Sequence, residues 1–141
     1  MSSPWEVVVA CSEVENQQRV AGMLTQLGVR SVCIGTVGEC RQVLNARTVG
    51  LVFCDLELPD GDYLDILAAV ACSAKKAPKV VVMAALMKFR QYSQAKARGV
   101  LDIIPAPCRP TDIEWMVFLA RSTTMPADSR LDWIPPTHPV T

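Results

Sequence analysis

The sequence lacks most of what metal, membrane or nucleotide chemistry requires. It has one histidine, His138, near the C-terminal end, and its six cysteines (Cys11, Cys33, Cys40, Cys54, Cys72, Cys108) are scattered with no C-x-x-C pair. That spacing argues against a zinc site. No apolar run approaches the roughly 18–20 residues of a membrane span, and Met1-Ser2-Ser3-Pro4-Trp5-Glu6 offers no basic stretch leading into a signal core. Net charge is absent as well, because 14 lysines and arginines balance 14 aspartates and glutamates. No global field therefore draws the chain to nucleic acid or an acidic membrane surface, and recognition has to be local. Neither G-x-G-x-x-G nor G-x-x-x-x-G-K-[ST] occurs, which removes the common phosphate-cradling loops. These absences lead to the expectation of a cytoplasmic protein with no membrane, nucleic-acid or metal partner. Its thiols are expected reduced and buried, since runs such as Leu51-Val52-Phe53-Cys54 use cysteine as a small hydrophobe.

What the chain does have is apolar residues, half of its 141 positions, enough for one core and too short a chain to expect two. Strand-like and helix-like patterns alternate five times between residue 5 and about 121. The strands are expected at Trp5–Ala10, Arg30–Ile34, Val49–Cys54, Pro78–Ala84 and Leu101–Ile104. Most are short β-branched runs without polar alternation, as in strands covered on both faces. Helices are expected at Val14–Leu27, Val37–Ala46, Tyr63–Ala71, Lys88–Ala97 and Thr111–Arg121. In the first, Val14, Val20, Met23, Leu24 and Leu27 form the apolar side, with Glu15, Gln17, Gln18, Arg19 and Gln26 opposite. Gly28 and Gly99 read as left-handed caps. Pro110 or Thr111 opens the last helix, and Glu114 completes a capping-box pattern with Thr111. The alternation predicts an α/β domain, a parallel sheet with helices on both faces. From residue 122 to 141 four prolines and several small polar residues mark a tail. Leu131, Trp133 and Ile134 interrupt its polarity, leaving docking and disorder both open.

In a parallel α/β sheet, chemistry sits beyond the carboxyl ends of the strands. There the segment Leu51-Val52-Phe53-Cys54-Asp55-Leu56-Glu57-Leu58-Pro59-Asp60-Gly61-Asp62 places a carboxylate at the tip of a buried strand, and Pro59-Asp60-Gly61 turns the chain away from it. With Pro105-Ala106-Pro107 about 50 residues on, this closely resembles the phosphoacceptor segment of two-component response-regulator receiver domains, CheY-like in type. The resemblance covers residues 5–121. It implies a three-layer, doubly wound five-stranded sheet of order 2-1-3-4-5, the flavodoxin-like receiver fold, with Asp55 as candidate phosphoacceptor.

The resemblance also implies a pocket that has been stripped. Aligned on the strand ends, the family's acidic pair falls on Cys11 and Ser12, its hydroxyl residue on Ala84, its lysine on Ala106, and the aromatic residue of its switch on Ile103. Magnesium wants carboxylate oxygens, and two of three are gone, so binding of the ion is expected weak or absent and no other cofactor is implied. Glu13, Glu57 and Asp60 are the acids available as substitutes, although Glu13 also suits a helix start. The expectation is a non-enzymatic, stand-alone interaction module, an atypical receiver. Its partners would be other signalling proteins, a histidine kinase or a second copy of the chain. They would be met through the fourth helix, fifth strand and fifth helix, a face carrying Lys88, Arg90, Tyr92, Lys96, Arg98 and Trp115. The alternative is a working phosphorelay through Asp55. A more remote one is thiol sensing, since Cys11 falls in the pocket and Cys108 lies opposite, with Arg109 as the local cation.

Overall fold

A computed structural model of the chain describes residues 5–73, 78–85 and 89–122. Five strands, β1 (Glu6–Ala10), β2 (Arg30–Ile34), β3 (Val49–Asp55), β6 (Lys79–Ala84) and β7 (Asp102–Pro105), form one parallel sheet of order β2-β1-β3-β6-β7. The remaining two, β4 (Glu57–Leu58) and β5 (Gly61–Asp62), make a two-residue antiparallel hairpin directly after β3. Skipping that hairpin, the order is the expected 2-1-3-4-5. The helices are α1 (Val14–Gln26), α2 (Val37–Ala46), α3 (Tyr63–Ala71), α4 (Phe89–Ala97) and α5 (Pro110–Ser122).

Successive side chains of a strand point to opposite faces, and in the three central strands β1, β3 and β6 both faces are buried. Val8 and Ala10 of β1 and Val52 and Cys54 of β3 join the core beneath α2 and α3, with Ile66 and Val70. Val7 and Val9, with Leu51 and Phe53, join the core beneath α1 and α5, with Leu24, Ile113 and Met116. This is why the strands carry unbroken apolar runs.

Gly28 and Gly99 have φ of 72° and 104°. Both end their helices with the same paired bonds: Val29 N–H to Leu24 O and Gly28 N–H to Thr25 O, then Val100 N–H to Ala95 O and Gly99 N–H to Lys96 O. These are left-handed caps, as the glycines suggested. A third glycine is set by packing. The β1–β3 register slips at Gly50, and a Cβ there would overlap the Trp5 indole.

Of the two openings expected for the last helix the structure has Pro110; the apolar side expected for α1 changes, and one buried charge is new. The last helix begins at Pro110, so Thr111 lies inside its first turn instead of at the cap, and the Arg109 guanidinium pairs with Asp112 at 3.2 Å. Val14 and Leu27 are 62% and 36% exposed, leaving Val20 and Leu24 as the buried stripe of α1. At about 100° per residue, Val14 falls well to one side of that stripe while Gln17 falls on it. The one buried charge among the described residues is also unforeseen: Glu6, opening β1, accepts from Arg47 at 3.0 Å. The expected tail lies beyond the described residues, as does Lys88.

Candidate functional site

At the carboxyl end of the sheet an open cleft of about 1150 Å³ is walled by the β1–α1 loop and α1, the end of β3, the end of β6 and the loop after β7. Asp55 is the last residue of β3 and half-buried at the cleft floor. Its position follows from pairing, because Val52 to Asp55 run beside β6 with Asp55 opposite Met83. Oδ2 accepts the Ser12 N–H at 3.3 Å. Burial pushes the Asp55 carboxyl above its ordinary range, the Cys11 thiol and Ser12 N–H pull it back, and the charge of Glu13 adds to the rise.

The four positions that correspond to the family's chemical groups gather here. Ser12, Ala84 and Ala106 line the cleft, and Cys11 is buried just behind Ser12. The Ala106 N–H donates to the Ala84 carbonyl at 3.1 Å, so two methyl-bearing residues stand side by side in the cleft that holds the carboxylate. Neither side chain can donate a hydrogen bond or carry charge. Ile103 pairs with Val82 and packs half-buried on the core.

Of the three candidate substitute acids, the cleft receives two. Glu13 lines it from the N-cap position of α1, where its carboxylate also accepts from Asn16 at 3.3 Å, and Glu57 lines it from β4. Asp60 is engaged elsewhere. Its oxygens accept the Val37 N–H at 2.7 Å and the Gly38 N–H at 3.1 Å, capping α2 across 23 residues of sequence. The first-turn amides of α2 have no intrahelical acceptors and carry the positive end of the helix dipole, which favours a carboxylate there.

Those bonds hold the Asp60 carboxyl below the ordinary carboxylate range. A depressed folded-state pKa contributes stability that is present above about pH 4, the unfolded value, and is lost as pH falls through the folded one. Asp60→Asn keeps one oxygen acceptor and loses the charge. Its melting temperature should therefore lie below wild type at pH 7, and the gap should close on acidification toward pH 3. Parallel melting curves across that range would count against the cap.

The cleft also holds residues the sequence reading did not single out. Glu15 and Arg19 of α1 line it, so four carboxylates (Glu13, Glu15, Asp55, Glu57) meet one guanidinium among the described residues. The charge of Arg19 acts on Cys108, but burial prevails and pushes that thiol up to about 11. Burial likewise pushes Cys11 up to about 12. Arg109, the cation considered for a reactive thiol, is taken by Asp112. Among the described residues no three His, Cys, Asp or Glu side chains form a metal-holding group, and no helix is long and apolar enough to cross a membrane. On the α4 face, Arg90, Tyr92, Lys96 and Arg98 are exposed and Trp115 is half-buried. Tyr92 Oη donates to Asp102 at 3.1 Å and Lys96 Nζ to the Leu101 carbonyl at 2.7 Å, tying α4 to β7.

A parallel sheet of order β2-β1-β3-β6-β7 with helices on both faces and an aspartate at the tip of its third strand is the flavodoxin-like receiver fold, and solved structures agree on it. A two-component response regulator from Clostridium difficile superposes with a TM-score of 0.77 at 15% identity, covering 86% of this chain and 99% of that one. The signal receiver domain of an HD domain-containing protein from Pseudomonas fluorescens Pf-5 gives 0.77 at 16% identity, covering 94% and 96%. The beryllofluoride-activated NtrC4 receiver domain dimer gives 0.77 at 15% identity, covering 85% and 98%. In sequence, the chain is 32% identical over 99 residues to the luminescence regulatory protein LuxO of Vibrio campbellii and, to the same extent, to the regulatory protein LuxO of Vibrio parahaemolyticus. The match takes in 67% of this chain and 22% of each LuxO, so the chain spans about a fifth of the curated relatives it matches. No protein-family model matches the sequence.

Proposed function

We propose that this domain serves two-component-type signalling as a protein-interaction module held in one conformation, without a phosphoryl-driven switch. The observation that carries this reading is the pair of alanines, Ala84 and Ala106, lining the cleft that holds Asp55. A phosphoryl group on Asp55 would add negative charge beside the three other carboxylates of the cleft, with Arg19 the one cation among the described lining residues, and would find neither an ammonium nor a hydroxyl at Ala84 and Ala106. Of the three positions where the family places magnesium-binding acids only Asp55 carries a carboxylate, the other two being Cys11 and Ser12, and the ion should bind weakly.

The exposed basic face of α4 is the surface offered to a partner, another signalling protein, a kinase or a second copy of the chain. Tyr92 and Lys96 hold that surface against β7 by bonds that owe nothing to the cleft. Dimerisation has precedent in the fold, since the NtrC4 receiver structure is of a dimer. The competing reading, a phosphoacceptor in a relay, is favoured by Asp55 itself, which keeps the strand-tip position and opens onto the cleft. Thiol sensing draws no support from cysteines that burial keeps protonated.

Incubation with acetyl phosphate and magnesium separates the first two readings. The expected result is no gain of a phosphoryl mass within hours and no amide shifts around residues 55–57 with beryllofluoride. A phosphoryl adduct that Asp55→Ala abolishes would establish the relay instead.

A further inference from the structure

Gln17 lies on the inward stripe of α1, and its side-chain amide reaches the carboxyl ends of two strands. Nε2 donates to the Cys11 carbonyl and, at 3.1 Å, to the Ile34 carbonyl. A primary amide has two N–H donors, and both are used. The Ile34 carbonyl also accepts the Cys11 N–H at 3.0 Å, so the ends of β1 and β2 and the first turn of α1 meet at this one side chain.

The Cys11 carbonyl and the Ser12 N–H belong to a single planar peptide unit, and in a trans peptide they point in opposite directions. Whatever holds the carbonyl therefore sets where the N–H aims. Here the carbonyl is held by Gln17, and the N–H on the other edge of the plane donates to Asp55 Oδ2 at 3.3 Å. Polarisation works the same way, because a peptide whose oxygen accepts a hydrogen bond is a stronger donor at nitrogen. Ser12 itself is exposed and sits in the turn between β1 and α1, so no burial of its own side chain fixes this plane.

We propose that Gln17 is the positioning residue of the Asp55 crevice: it grips the Cys11–Ser12 peptide from the carbonyl side and thereby aims the Ser12 N–H at the carboxylate. In the family's terms this is where a second acidic side chain would stand beside Asp55. In this chain the neighbour is a backbone donor, kept in place from behind. The role does not depend on Asp55 accepting a phosphoryl group, and the test below uses no phosphoryl donor or metal, so it succeeds or fails apart from the proposed function.

The experiment follows the Ser12 amide in ¹⁵N-labelled protein through wild type, Asp55→Ala, Gln17→Met and the double variant. Methionine keeps the length of glutamine and removes its donors. The expected outcome is that Asp55→Ala shifts the Ser12 amide proton upfield in wild type, and that most of this shift disappears in the Gln17→Met background. An equal shift in both backgrounds would overturn the proposal, because a glutamine that merely satisfied two strand-end carbonyls would leave the Ser12 to Asp55 bond as it was. If Gln17→Met does not fold, wild-type protein still decides the matter through its side-chain amides. Both Gln17 Nε2 protons should exchange with solvent more slowly than those of the exposed Gln18 and Gln26, and equal rates would refute the grip on which the proposal depends.

Discussion

Phe53→Ala should lower stability by about 3–5 kcal/mol, the usual cost of truncating a buried phenylalanine. Phe53 is among the largest fully buried side chains, has no exposed surface, and sits in β3 between Val9 of β1 and Val81 of β6. Its ring faces the layer beneath α1 and α5, where Leu24, Ile113 and Met116 close over it. The surrounding strands are paired on both sides, so the walls of the resulting cavity have little freedom to collapse. Against a total of about 5–15 kcal/mol for a domain of this kind, the loss takes a large share of the margin. At roughly 3–5 °C per kcal/mol for this size, the melting temperature should fall by about 10–25 °C. Val14→Ala, at a 62% exposed position, serves as the control and should change little. A Phe53→Ala protein melting within a few degrees of wild type would mean the β3 core is not the one described.

Restoring the two missing groups of the cleft should have the largest effect on chemistry. In Ala84→Thr with Ala106→Lys, the hydroxyl and the ammonium enter from adjacent positions that already line the cleft that holds Asp55. Hydrogen bonds to charged groups contribute about 1.5–3 kcal/mol each, and a rate changes tenfold for every ~1.4 kcal/mol. Phosphorylation by acetyl phosphate at Asp55 should therefore rise by about 10²–10⁴-fold over wild type, short of full recovery because Cys11 and Ser12 still supply no metal ligand. Single restorations should give smaller gains. Wild-type protein that labels as fast as the double variant would show that the alanines cost nothing, and the interaction-module reading would lose its main support.

The architecture was readable from the sequence to within a residue or two at most element boundaries. Arg30–Ile34, Val37–Ala46 and Tyr63–Ala71 coincide with the observed elements. The reason is that the determinants are local. A strand buried on both faces has to be apolar at every position, a helix against the sheet has to be apolar at every third or fourth, and Gly28 and Gly99 mark left-handed ends that few other residues tolerate. The two-residue β4–β5 hairpin escaped notice because Pro59-Asp60-Gly61 reads as any turn, and only the pairing of Glu57 with Asp62 makes it strand. Polar residues were harder to place. Gln17 looked like part of the solvated side of α1, and Asp60 like a spare acid for the cleft.

From the sequence alone came the fold class and the strand-tip position of Asp55, and from its resemblance to receiver domains the expectation that Ala84 and Ala106 stand where that family has a hydroxyl and a lysine. All of these depend on residue type at a position along one element. Only the tertiary structure decided where the polar side chains find their places: Asp60 on the amides of α2, Gln17 on the ends of β1 and β2, Arg47 on Glu6, Arg19 in the lining of the cleft. A hydrogen bond joins groups up to tens of residues apart with no periodic trace in the chain, so its partner is fixed by the packing that brings the two together.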